Sequence, residues 1–143
     1  MSSKRTVRVA ALSLAALAAL VAVSAASGNG VAAVTIRHQM RGCHSWSFGS
    51  GPYKPTLSVT VQAGTTLKFT NNDVMPHRLI QTSGPKITLV HPNMNRMASS
   101  ATVLLAKKGI YRFTTKAGED YAWAASMKTT GEDNVLHLTV HAK

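Results

Sequence analysis

The chain is poor in cysteine and in acid: one Cys and five carboxylates in 143 residues. A single cysteine excludes an intramolecular disulfide framework and any zinc ribbon built on paired Cys motifs. Five acidic residues offer no pair with the spacing of a glycosidase-type dyad. No glycine-rich loop of the phosphate-cradling kind is present. Cys43 beside His44 does not make a Cys/His protease pair, whose members are normally distant in sequence. These absences predict a protein that is not an enzyme. Charged residues make up 15% of the chain and hydrophobic ones 45%, which excludes a disordered polyelectrolyte. No convincing amphipathic helix, internal repeat or low-complexity tract occurs, and the length suits one domain.

What is present begins with an export signature. Lys4, Arg5 and Arg8 form a cationic start, residues 9–23 are nearly all Ala, Leu and Val, and small residues follow at Val23-Ser24-Ala25-Ala26. This is the pattern of a secretory signal over residues 1–26, cleaved after Ala25 or Ala26. Fifteen apolar residues reach roughly 22 Å as a helix, short of the ~30 Å hydrocarbon core, so a membrane anchor is disfavoured. No Cys follows to carry a lipid. Removing three cations lowers the net charge from +11 to +8. The expected mature product is a basic protein, periplasmic or extracellular, with one thiol in an oxidising compartment and no stable membrane insertion.

Residues 31–143 read as a succession of strands. Leu57, Val59 and Val61 alternate with polar neighbours, as do Leu67 and Phe69, then Tyr111 and Phe113, then Leu136, Leu138 and Val140. Shorter runs at 34–36, 77–81, 87–90 and 101–106 complete the pattern. Ala63-Gly64, Asn71-Asn72-Asp73, Ser83-Gly84-Pro85 and Lys107-Lys108-Gly109 punctuate it. Seven to eight short strands predict an all-β Greek-key sandwich.

Residues 57–81 resemble the cupredoxins, the blue-copper family that includes plastocyanin. The resemblance rests on Leu57-Ser-Val-Thr-Val-Gln-Ala-Gly64, on Thr65 to Asn72, and on Met75-Pro76-His77, with Gly109-Ile-Tyr-Arg-Phe113 matching the family's Gly-x-Tyr-x-Phe strand. It covers about residues 31–141 and implies a cupredoxin-like sandwich in which His77 is an imidazole ligand of copper. The chain departs from the family where the thiolate belongs. The residue two after Phe113 is Thr115, and residues 114–133 hold neither Cys nor His.

The only thiol instead lies in Arg41-Gly42-Cys43-His44-Ser45-Trp46, ahead of the core; exported bacterial proteins with a cupredoxin-like core are similar in this Gly-Cys-His-x-Trp stretch. If the connection over residues 38–55 opens at the same end of the sandwich as the one over 71–77, Cys43 meets His77. The expected metal ligands are Cys43, His77, His44 and Met127, with His38 the alternative imidazole and Glu119 the alternative fourth donor. A thiolate with two imidazoles and a weak thioether selects copper, as Cu(I) and Cu(II), one ion per chain. Trp46 would shield it. Met75, Met94, Met97 and His91 form a looser group of the kind a Cu(I) carrier uses.

Three functions are compatible with these residues. The first is one-electron transfer, the second copper sequestration or delivery, and the third a metal-free interaction domain. The expected partner is a redox protein or a copper donor or acceptor, acidic in view of the scattered positive charge. Nucleic acid is not an expected partner of an exported chain.

Overall fold

A computed structural model describes residues 30–39, 44–117 and 135–143. The signal segment 1–26 and the candidate ligands Cys43, Glu119 and Met127 lie outside these residues. The described residues form nine strands and no helix: β1 (Val31–His38), β2 (His44–Phe48), β3 (Thr56–Val61), β4 (Thr66–Asn72), β5 (His77–Ser83), β6 (Asn93–Met94), β7 (Ser100–Leu104), β8 (Gly109–Ala117) and β9 (His137–Ala142).

They build two sheets, ordered β2-β1-β4-β7 and β3-β9-β8-β5-β6. Both sheets are mixed, because β1 runs parallel to β4 and β3 parallel to β9 while the other pairs are antiparallel. The architecture is the expected all-β Greek-key sandwich.

Alternation in the sequence explains which faces meet. Leu67 and Phe69 of β4, Tyr111 and Phe113 of β8, and Leu138 and Val140 of β9 are all buried, while Lys68, Ile110, Arg112 and His137 between or beside them are exposed. Phe69 and Phe113 meet across the sandwich with centroids 5.5 Å apart. Each such side chain removed from water contributes about 1.5–3 kcal/mol.

Three local expectations are corrected. Residues 38–55 are not a plain connection, because His44–Phe48 forms an edge strand antiparallel to β1. It escapes a period-2 reading because His44, Ser45, Trp46 and Ser47 are all buried, polar and apolar alike. Residues 87–90 form no strand. Ile87 and Leu89 pack against the core, but only Val90 pairs, in an isolated bridge to Thr102. Asn71 and Asn72 do not break β4; they are its last two residues. β3 lies in the other sheet, where it pairs with β9.

One glycine is obligatory. Gly84 turns the chain after β5 with φ +113°, and a Cβ there would sit 2.5 Å from the Ile110 carbonyl oxygen. Backbone of the neighbouring strand occupies the space a side chain needs.

Candidate metal centre

The inward rows of several strands end in polar residues at one end of the sandwich. On β4 the buried row Leu67, Phe69, Asn71 continues one step past the strand to Asp73. On β2 the buried pair is Trp46 and His44, and on β5 Leu79 and His77. On β8 the row Tyr111, Phe113 is followed by the half-buried Thr115. Side chains at i and i+2 share a face, so each of these polar groups is aimed where the core residues point.

Strand pairing then brings the rows together. His44 opens β2 directly opposite His38, the last residue of β1. On the other side of β1, Arg37 is the register partner of Asn72, and one residue further along brings Asp73 beside His38. The chain next crosses to the second sheet and opens β5 at His77.

At this end His44 Nδ1 lies 2.7 Å from Asp73 Oδ2, and His77 Nε2 lies 3.0 Å from the same oxygen. The two imidazoles meet edge to face, centroids 4.7 Å apart. His44, Asp73 and His77 are all buried, and their potential ligand atoms lie within 4.8 Å of one another. His38 reaches the cluster from its rim: its Nδ1 is 3.6 Å from Asp73 Oδ1, and its side chain is half exposed.

Asp73 is held from behind. Its N–H donates to Asn71 Oδ1 at 2.9 Å, and its Oδ1 accepts from the Met75 N–H at 3.1 Å. Asn71 Nδ2 in turn donates to the carbonyls of Met75 and Met94, tying the β4–β5 connection to β6. His77 Nδ1 lies 3.2 Å from Thr115 Oγ1. The hydroxyl thus stands beside His77 at the position where the cupredoxin resemblance calls for a thiolate.

The electrostatics fix the proton positions. Burial acts to raise the Asp73 carboxyl, but hydrogen bonds from His77, His44 and the Met75 N–H together outweigh it, and its pKa falls below the ordinary carboxylate value. An ionised carboxylate only accepts, so His44 Nδ1 and His77 Nε2 both carry hydrogens and donate. Burial is the main cause that lowers the His77 pKa; the bond to Asp73 opposes it, and the nearby His44 adds to the depression. A neutral His77 with its hydrogen on Nε2 accepts at Nδ1 from the Thr115 hydroxyl.

Both shifts give the metal-free protein the same acid response. For each group the unfolded chain binds its proton at higher pH than the folded chain does, so stability rises with pH. It should be complete above about pH 6.5, fall as His77 becomes protonated in the unfolded state, and fall again below about pH 3.9 on account of Asp73. Thermal melting between pH 8 and pH 3 checks this. A Tm that climbs on acidification from pH 7 to pH 5 contradicts the arrangement.

Of the residues singled out from the sequence, the structure brings His44 and His77 together and sets His38 at their edge. Cys43, Met127 and Glu119 are outside the described residues. Sequence reading missed Asp73, treating it as part of a turn. One signal marks it: it continues the inward row of β4 a step past the strand.

No family model and no curated protein matches the chain. Solved structures similar to it include a purple cupredoxin from Nitrosopumilus maritimus, 21% identical, covering 76% of this chain and 97% of that one with a TM-score of 0.39. A cysteine protease inhibitor from Entamoeba histolytica is 7% identical, covers 82% and 100% of the two chains, and has a TM-score of 0.43. A copper-containing nitrite reductase from Thermus scotoductus is 14% identical over 80% of this chain and 27% of its own, with a TM-score of 0.41. Overlaps this loose carry no inference about activity. The chemistry rests on the residues themselves.

Two buried imidazoles and a carboxylate are donors that suit copper or zinc. A cleft of about 250 Å³ is lined by Pro76, His77, Arg78, Asn95, Lys116 and Ala117, while the His77 side chain stays fully buried. Among the described residues no helix is long and apolar enough to cross a membrane.

Proposed function

We propose that this chain is an exported electron-transfer protein that holds one copper ion, with no catalytic activity of its own. The observation that supports this most is the convergence of His44 and His77, 33 positions apart, in a buried site at one end of a β-sandwich. When bound, copper supplies a one-electron couple between Cu(I) and Cu(II). His44 and His77 are its imidazole ligands. Cys43, bonded directly to His44, supplies the thiolate, and Met127 the weak thioether. Glu119 stands in for Met127, and His38 for His44, as the alternatives.

The surrounding residues do the protein's share. Trp46, fully buried on the same face of β2 as His44, excludes water from that side. Asn71 fixes the turn that presents Asp73 and His77. Burial of both imidazoles favours an ion kept through redox cycles over one handed on. The proposed partner is an acidic redox protein. Arg78 and Lys116 are directly opposed on β5 and β8, both exposed, and both line the cleft next to His77. Like charges so placed repel each other, and a negative surface relieves them.

Optical and EPR spectra of the copper-loaded protein test the assignment. Cu(II) should produce an intense thiolate-to-copper band in the visible, Cys43→Ser should abolish it, and Met127→Leu should shift the potential while keeping colour. An unchanged band in the Cys43→Ser protein refutes the thiolate role. Ready transfer of Cu(I) to a competing chelator identifies a carrier instead.

A further inference from the structure

We propose that Asp73 is itself a metal ligand, so that His44, Asp73 and His77 form a two-histidine, one-carboxylate site able to hold a divalent ion without Cys43. The inference rests on the location of the metal centre proposed above, but not on its thiolate.

The first argument is the cost of the carboxylate. Asp73 is 0% exposed, and a charge so fully removed from water persists only when it is paired or bound to a metal. Here its Oδ2 is the single atom that both imidazoles reach, at 2.7 and 3.0 Å. A cation entering among the three would replace two N–H contacts by direct bonds to the same three side chains, each neutral imidazole then carrying its one hydrogen on the nitrogen turned away from the ion.

The second argument is orientation. Ligating groups are normally held by partners outside the metal shell. The Asp73 carboxylate has such a partner in the Met75 N–H, with the Asn71 side chain holding the Asp73 backbone N–H, and His77 has one in Thr115. Thr115 suits the exchange because a hydroxyl can both donate and accept. In the metal-free site it donates to His77 Nδ1. When an ion takes Nε2, the hydrogen displaced from that nitrogen is accommodated at Nδ1, and Thr115 Oγ1 accepts it. His77 remains neutral throughout, and its proton count does not change. A thiol at position 115 would accept only weakly, so threonine fits the use of Nε2 as the metal-facing atom.

The third argument is spacing. Metal–nitrogen and metal–oxygen bonds near 2.0–2.2 Å place tetrahedral ligand atoms roughly 3.4 Å apart. Two of the contacts are already shorter than this, and the widest separation within the cluster is under 4.8 Å. Side-chain rotation closes that gap. Two nitrogens and an oxygen select Cu(II) or Zn(II) over Cu(I), and the fourth position stays open to Cys43 or to water.

The test uses the full chain carrying Cys43→Ser, with Zn(II) and Cu(II) as probes. Calorimetry should show one Zn(II) bound per chain, and Cu(II) should give an EPR spectrum lacking thiolate character. In the same titration the side-chain 13Cγ resonance of Asp73 and the Nε2 resonance of His77 should both shift. Adding Asp73→Asn, which keeps the shape but replaces one acceptor oxygen with an NH2 donor and removes the charge, should weaken Zn(II) binding at least tenfold. If that variant does not fold, the Asp73 13Cγ shift in the Cys43→Ser protein decides alone. No ion bound by Cys43→Ser, or an Asp73 resonance that stays put while the imidazoles move, overturns the proposal and leaves the thiolate reading standing. Zn(II) bound by Cys43→Ser, together with a copper-loaded unsubstituted protein that shows no thiolate-to-copper band, does the reverse.

Discussion

A His77→Ala variant is expected to lose both copper and stability. The affinity should fall by at least 100-fold, because even partners behind a ligand cost about 10- to 100-fold when removed. The stability should fall by about 2–3 kcal/mol, since a hydrogen bond to a charged group contributes roughly 1.5–3 kcal/mol and the lost ring leaves space behind. Asp73 would keep only His44 and the Met75 N–H as close donors. Competition with a chelator of known affinity reads the first effect, and urea denaturation of the metal-free protein the second. A variant that loses copper without losing stability would show that His77 is not bonded to a buried carboxylate. One that loses stability alone would remove it from the metal site.

Trp46→Ala should be the most damaging substitution on the scaffold side of the centre, at about 3–5 kcal/mol. Among the described residues Trp46 is the largest of the fully buried side chains, and it lies on β2 two residues from His44, on the same face. Losing it opens a cavity under an edge strand that otherwise holds by its ladder to β1 and by the pair of backbone bonds between Trp46 and Lys54. Its Nε1 has no hydrogen-bond partner among the described residues. Trp46→Phe should therefore cost far less than Trp46→Ala, because it drops an unpaired donor along with part of the volume. In denaturant the midpoint should move with the slope unchanged. A loss under about 1 kcal/mol for Trp46→Ala would contradict full burial.

These two residues also show where local reading reaches its limit. Trp46 lies in a run of four buried residues with two serines, so neither polarity nor period marks it as a strand. His77 could be singled out from Pro76-His77 and its resemblance to the cupredoxins, and His44 from its place next to Cys43, but Asp73, which bonds both, could not. Asp73 looks like a turn residue after Asn71-Asn72 until the inward row of β4 is followed one step further. The run at 87–90 errs the other way: Ile87 and Leu89 alternate like a strand and do pack inward, yet only Val90 finds a pairing partner.

The amino-acid order alone determined the class of fold. Alternation along β3, β4, β8 and β9 is a local property, since each residue's face follows from its position in an extended chain. Burial of one face then forces two sheets together. Which polar groups meet at the end of those sheets was decided by tertiary structure. His44, Asp73 and His77 become neighbours because β1 pairs on one side with β2 and on the other with β4, and because the chain changes sheets before β5. Those choices depend on contacts between residues far apart in the chain, and no short stretch of sequence contains them.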